Sequence, residues 1–272
     1  MLANQIIAVI GAGNIGRALI GGLIKGHEFE PSQLWATRRN ELALEELQRD
    51  FPGIRTSTDN AEAVQEATIV VLAVKPQTYR EVIEEIAGSV RADTLVMSVL
   101  AGITTDSLQQ SLGKDVPVVR TMPNTPALVD AGATAIAGGR FSGAEHVALA
   151  EHILKAVGSV EIVPEYLMDA VTGLSGSGPA YVYMFIEALT DAGVKQGIPR
   201  PTAFRLATQT VYGASKLVHE TGKHPAILRD EVTTPGGTAI AAVAELESHG
   251  IRTMLINAVA TATARSKELS EQ

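Results

Sequence analysis

Six residues from position 11 constrain this chain more than any others. Gly11-Ala12-Gly13-Asn14-Ile15-Gly16 stands between a continuous apolar run, residues 5–10, and a stretch with Ile15, Leu19, Ile20, Leu23 and Ile24 at helical spacing. Glycines at that spacing, between a strand and a helix, have separate uses. Gly11 permits a tight turn, Gly13 leaves the backbone open to a close ligand, and Gly16 lets the helix lie against the strand. A helix start offers unpaired N–H groups and the positive end of the helix dipole, so the turn suits the pyrophosphate of a dinucleotide. A purely structural strand-to-helix turn is the alternative reading.

The same alternation continues through the first half. Apolar strand-like runs at residues 34–37, 68–74, 94–99, 116–120, 133–137 and 160–163 are separated by helical patterns at 41–50, 77–87, 104–112 and 143–157, with Asn40 placed to cap the first of these. Strands apolar on both faces imply a mostly parallel sheet covered by helices, with ligands held at the carboxyl ends of the strands. Those ends carry residues 11–16, 37–40, Lys75-Pro76, 100–102 and 121–125. After Pro164 the pattern becomes wholly helical, at 166–172, 179–196, 201–221, 225–231, 239–248 and 251–269. The fold class is therefore α/β: an N-terminal Rossmann-like, doubly wound domain over residues 1–163, then an all-α domain over residues 164–272. The helix opening at Pro179 is apolar nearly all round (Tyr181, Val182, Met184, Phe185, Ile186, Leu189, Val194) and must be buried on most sides. About 105 residues supply little cover for it, which points to a homodimer interleaving these helices. Burial against the first domain is the alternative.

Composition removes several classes. A net charge of −8 argues against nucleic acid and anionic membrane surfaces as partners. The absence of cysteine excludes disulfides, thiolate catalysis and Cys-ligated metals, and fits a cytoplasmic location. No signal peptide fits the few residues between Met1 and the first strand, no apolar run approaches the roughly 20 residues of a membrane span, and no His/Asp/Glu cluster has metal-ligand spacing.

About twenty residues past Gly16, a site for NAD would carry a carboxylate for the ribose hydroxyls. This chain has Ala36-Thr37-Arg38-Arg39-Asn40. Two arginines can face a 2′-phosphate, so NADP(H) is the expected cofactor and NAD(H) the alternative; a solvated loop cluster is the bland reading. Asn60 is a further candidate for the adenosine end. Ala73-Val74-Lys75-Pro76 places an ammonium at a strand end. Lys75 is thus the best candidate for a general acid, or else a loop lysine beside the cofactor. The six histidines lie in polar contexts or near helix ends and read as surface residues. So sparse an acid–base apparatus suits a substrate such as a cyclic imine. An imine can bind already protonated and accept hydride with no more help than orientation and an anchor.

Such an anchor stands near the C-terminus. Val232-Thr233-Thr234-Pro235-Gly236-Gly237-Thr238 runs directly into a helical stretch. Two glycines, a helix start and three hydroxyls, from Thr233, Thr234 and Thr238, form a constellation suited to a carboxylate or phosphate.

Together these motifs resemble the pyrroline-5-carboxylate reductase family. The resemblance rests on the glycine turn, Ala73-Val74-Lys75-Pro76-Gln77, Arg120-Thr121-Met122-Pro123-Asn124-Thr125-Pro126, Gly173-Leu174-Ser175-Gly176-Ser177-Gly178-Pro179-Ala180-Tyr181, and Glu231 through Thr238. It implies reduction of Δ1-pyrroline-5-carboxylate to L-proline by NAD(P)H, in the last step of proline biosynthesis, by a homodimer that often assembles further as a ring of dimers. It implies that Met122, Pro123 and Asn124 border the nicotinamide and that Ser175 and Ser177 line the substrate site. The backbone of Gly236, Gly237 and Thr238 would hold the substrate carboxylate, with Thr234 beside it. The family commonly has a threonine after the position of Thr238, and its hydroxyl bonds the ring nitrogen. Here that residue is Ala239, which leaves Thr238, water or another residue for the role. Two other readings stand beside this one. One is a β-hydroxyacid-type dehydrogenase, whose lysine acid would have to be Lys195 or Lys216. The other is a cofactor sensor without turnover, which would have no need of the second anion turn.

Overall fold

The computed structural model describes residues 4–270. Among them, eight strands form one sheet: β1 (Ile7–Ile10), β2 (Leu34–Thr37), β3 (Arg55–Ser57), β4 (Ile69–Leu72), β5 (Leu95–Ser98), β6 (Val118–Met122), β7 (Gly132–Gly138) and β8 (Gly158–Ile162). Their order is 3-2-1-4-5-6-7-8. The helices between them are α1 (Asn14–Lys25), α2 (Glu41–Asp50), α3 (Asn60–Glu66), α4 (Tyr79–Ile86), α5 (Thr105–Leu112) and α6 (Ala144–Lys155). Then come α7 (Met168–Val171), α8 (Gly178–Lys195), α9 (Arg200–Thr221), α10 (Pro225–Val232), α11 (Thr238–Ser248) and α12 (Ile251–Ser270).

Period-two alternation along the strands builds two apolar layers. Ile7 and Val9 of β1, Ile69 and Val71 of β4, and Leu95 and Met97 of β5 pack with Leu19 and Leu23 of α1, Leu44 and Leu47 of α2, and Ile153 and Leu154 of α6. The intervening Ala8, Ile10, Val70, Leu72 and Val96 pack on the opposite face with Val64 of α3, Val82, Ile83 and Ile86 of α4, and Leu108 and Leu112 of α5. Each of the largest of these side chains is fully buried and contributes about 2 kcal/mol relative to exposure. This is the doubly wound arrangement that the apolar strand runs predict.

One pair breaks the parallel rule. β6 and β7 run antiparallel, with Arg120 opposite Ala137 and Met122 opposite Ala135. The connection, residues 123–131, is shorter than the dozen or so residues that a parallel crossover needs. α6 then returns the chain for a parallel β7–β8 pair. Two elements are absent from the sequence reading. β3 has three half-buried residues and no apolar run. α3 is a seven-residue helix whose N-cap, Asp59, accepts from the N–H groups of Ala61 and Glu62. The strand expected at 116–120 begins and ends two residues later, so Met122 closes β6.

The chain separates into two compact units. One runs to Ser177 and takes in the chain from Thr261 onward; the other is Gly178–Ala260. In the first, Ser266 in the second half of α12 donates to Asp169 of α7 at 2.7 Å, and the Leu269–Ser270 backbone lies against Gly102. In the second, α8 packs along α9, with Gly193 against Ala203. Pro201 stands in the first turn of α9, and Gly222 ends that helix in the left-handed conformation (φ 62°). The apolar α8 is not enclosed by α9 alone: Met184 is 70% exposed and Tyr183 59%. No helix among the described residues is long and apolar enough to cross a membrane.

Candidate active site

The turn after β1 has the geometry its glycines predict. Gly11 has φ +81°, and a Cβ there would lie 2.5 Å from Val74 Cγ1 and 3.0 Å from the Val74 backbone. Only glycine fits both conditions. The N–H groups of Gly11 and Ala12 donate to the carbonyl of Thr37 at 3.1 and 3.0 Å, tying the turn to the end of β2. A Cβ on Gly16 would meet Val9 Cγ1 at 2.7 Å, so that glycine brings α1 down onto β1. Gly13 differs, because a Cβ there would find only the Gly11 carbonyl oxygen, at 3.8 Å. The space above it is open. Gly13 is also the N-cap of α1 and has no side chain to cap it. Its carbonyl accepts from Arg17, which leaves the N–H groups of Asn14, Ile15 and Gly16 aimed outward. An open cradle over an uncapped helix start fits a pyrophosphate.

A cleft of about 280 Å³ continues from this turn, lined by Gly11, Gly13, Thr37, Arg38, Arg39, Asn60, Ala73, Val74, Lys75, Thr78 and Val82. Nine of the residues singled out from the sequence thus come together on the first unit. Thr37 is fully buried; its hydroxyl donates to Asn60 Oδ1 at 2.6 Å, and the Asn60 amide donates in turn to Glu85 of α4. Arg39 pairs with Glu81 of α4 at 2.9 Å. Arg38 is half-buried and has no ion pair among the described residues. Sequence reasoning found the arginines and missed both carboxylates, which reach Arg39 and Asn60 from a helix some forty residues beyond the arginines. Lys75 is exposed just ahead of a 3-10 turn, Pro76–Thr78, and its carbonyl accepts from the N–H and hydroxyl of Thr78.

At the end of β6 the buried Met122 leads through Pro123 to Asn124. The Asn124 amide donates to the Ser175 carbonyl at 3.1 Å, and its Oδ1 accepts from Ala133 at 2.9 Å. Ser175 belongs to a π-helical turn, Thr172–Gly176, in which its hydroxyl donates to the Val171 carbonyl and the Ser177 N–H donates to Thr172. Met122 Sδ lies 3.6 Å from where a Gly176 Cβ would stand. The π turn and the strand end are therefore locked to each other. Beneath them sits a residue to which the sequence reading gave no role. Arg120 is 2% exposed, with Nη1 3.6 Å from Glu165 and Nη2 3.9 Å from Asp169. Glu165 also accepts from the N–H and hydroxyl of Thr105 at 2.8 and 2.7 Å. An arginine in a strand that is otherwise free of charge was the available signal.

On the second unit, the Thr234–Thr238 turn repeats the anatomy of the first. Gly236 has φ +68°, and Gly237 is the N-cap of α11 with no side-chain cap. The Gly237 N–H donates to the Thr234 carbonyl at 2.9 Å, and the Gly237 carbonyl accepts from Ala241. The N–H groups of Thr238, Ala239 and Ile240 therefore have no partner among the described residues, nor have the exposed hydroxyls of Thr234 and Thr238. Thr233 is spent locally, donating to the Asp230 carbonyl.

Comparison with known proteins agrees along the whole chain. Residues 165–269 match the family described as pyrroline-5-carboxylate reductase dimerisation, and residues 6–102 match the family described as NADP oxidoreductase, coenzyme F420-dependent. The pyrroline-5-carboxylate reductase of Methanosarcina acetivorans is 45% identical over 271 residues, covering all of both chains. The structure of a pyrroline-5-carboxylate reductase from Coxiella burnetii superposes with a TM-score of 0.92 at 38% identity, over 99% of this chain and 100% of that one. The Plasmodium falciparum pyrroline carboxylate reductase, solved with NADP bound, gives 0.88 at 28% identity, over 99% of this chain and 100% of that one. With sequence and fold in agreement over the whole chain, this chain belongs to the pyrroline-5-carboxylate reductase family.

Proposed function

We propose that the chain reduces Δ1-pyrroline-5-carboxylate to L-proline, the last step of proline biosynthesis, with NADP(H) as the preferred dinucleotide and NAD(H) as a weaker one. Family membership over the full length carries this reading. It also disfavours the hydroxyacid dehydrogenase and sensor alternatives. The N–H groups of Asn14, Ile15 and Gly16 hold the pyrophosphate, and Gly11 keeps the backbone out of its way. Thr37 and Asn60 border the adenosine, and Arg38 and Arg39 face a 2′-phosphate. Ala73, Val74, Lys75 and Pro76 line the path toward the nicotinamide, which Met122, Pro123 and Asn124 border. The nicotinamide supplies the hydride.

The substrate's carboxylate sits on the N–H groups at the start of α11, with Gly236 and Gly237 giving it access and the Thr234 hydroxyl donating to it. Ser175 and Ser177, on the first unit, are further substrate-binding candidates by resemblance to the family. Thr238 is the hydroxyl for the ring nitrogen in place of the family's threonine at position 239, and Lys75 is the second candidate for supplying a proton. A protonated imine needs little more than this positioning, because the cationic ring nitrogen already activates the carbon.

Residues 164–272 form the dimerisation and substrate domain, and residues 1–163 the dinucleotide domain. A second copy of the chain covers the apolar face of α8, and dimers assemble into a ring in the cytoplasm. NADPH oxidation by the purified protein tests the activity directly. Turnover with pyrroline-5-carboxylate and none with a 3-hydroxy acid and NADP is expected. Tight NADPH binding without imine turnover would refute the reading.

A further inference from the structure

The two arginines after β2 are not equivalent. Arg39 is held by Glu81 at 2.9 Å, with both side chains about two-thirds exposed. Arg38 has no carboxylate partner among the described residues, although it lines the same cleft. Glu81 and Glu85 are one turn apart on α4 and flank Val82, which lines the cleft between them. Glu85 is engaged by the Asn60 amide, and Asn60 by Thr37. α4 therefore delivers two negative charges to a rim where residues 36–40 offer only positive ones. Arg38, Arg39, Glu81 and Glu85 together are formally neutral.

We propose that Glu81 is a specificity-determining residue of the dinucleotide site, one that narrows the preference for the phosphorylated cofactor. This rests on the reading that a 2′-phosphate lies against Arg38 and Arg39. A phosphate dianion approaching Arg39 competes with a carboxylate already bonded to it, and is repelled by that carboxylate. A ribose 2′-hydroxyl meets no such repulsion and can donate to a carboxylate. Arg38, which has no competing carboxylate, is then the principal partner of the phosphate. Because the Arg39–Glu81 pair is exposed, it contributes little to folding, and removing it leaves the fold intact.

The test is direct titration of NADPH and NADH into the protein, followed by calorimetry, for the wild type, Glu81→Gln and Arg38→Ala. The expected result for Glu81→Gln is NADPH binding about fivefold tighter at low salt, NADH binding changed less than twofold, and the NADPH gain shrinking as ionic strength rises. If Glu81→Gln leaves both affinities unchanged, or shifts both equally, while Arg38→Ala still weakens NADPH selectively, the role of Glu81 is overturned and the phosphate reading stands. If Arg38→Ala also treats the two dinucleotides alike, the phosphate reading falls and takes the proposal with it.

Discussion

Arg120 and Glu165 join the middle of β6 to the segment that leads into α7, with Nη1 and Oε1 3.6 Å apart and the guanidinium 3% exposed. Among the described residues, Nε and Nη2 of this arginine have no hydrogen-bond partner. A buried cation so sparsely bonded depends on the field of Glu165 and Asp169 for its stability. It also fixes the strand that ends at Met122, and so the Asn124–Ser175 bridge. Arg120→Ala is expected to destabilise the fold by about 3 kcal/mol, and Arg120→Met by less because it preserves the buried volume. Urea denaturation of the two variants beside the wild type measures this. Equal midpoints for all three would show that the arginine carries no structural charge.

Gly11→Ala is expected to damage both stability and dinucleotide binding. The new methyl meets Val74 from a backbone at φ +81°, a combination costing about 2 kcal/mol or more. Gly13→Ala meets open space instead, so it should leave the melting temperature nearly unchanged while weakening the dinucleotide at least tenfold. Thermal melts with and without cofactor separate the two variants. A Gly13→Ala protein that binds as well as the wild type would remove the pyrophosphate from this turn.

Replacing Arg38 and Arg39 together by alanine should weaken NADPH binding by about two orders of magnitude and NADH binding by much less. Dissociation constants for both cofactors, measured at one salt concentration, decide it. Equal weakening would mean that the pair does not read the 2′-phosphate.

Gly237→Val should raise KM for the imine far more than KM for the cofactor. Its Cβ would fall on the Thr234 hydroxyl, displacing a donor beside the unpaired N–H groups of α11. Steady-state kinetics with each substrate varied in turn distinguish the outcomes. A selective loss of cofactor affinity would assign this turn to the dinucleotide.

The sheet was legible because strand-like apolar runs and glycine turns are local signals. β1, β2, β4 and β5 fall where the runs lie, and Gly222 stops α9 as its type predicts. β3 escaped because three half-buried residues make no pattern. α3 escaped too, although Asp59 followed by Glu62 is a serviceable helix-start signal. The reversal of β7 could have been read from the length of its connection. At the dinucleotide cleft, the residues near each other in sequence were found and those arriving from α4 were not. Glu81 and Glu85 look like ordinary solvated charges on a helix, and only the fold brings them to Arg39 and Asn60. Arg120 was in view throughout as part of a motif, but burial is what gives it meaning, and burial is a property of the folded chain.

The last stretch of the chain, from Thr261, packs into the same unit as the first strand. Synthesis runs from the N-terminus, so the sheet domain has most of its strands long before the piece that caps Asp169 and lies along Gly102 leaves the ribosome. The completion of that unit awaits α12, and the helical unit, although encoded later than all eight strands, is synthesised before it. A chain that stops at residue 260 would therefore keep every strand of the sheet and lack the contacts that α12 makes with Asp169 and Gly102.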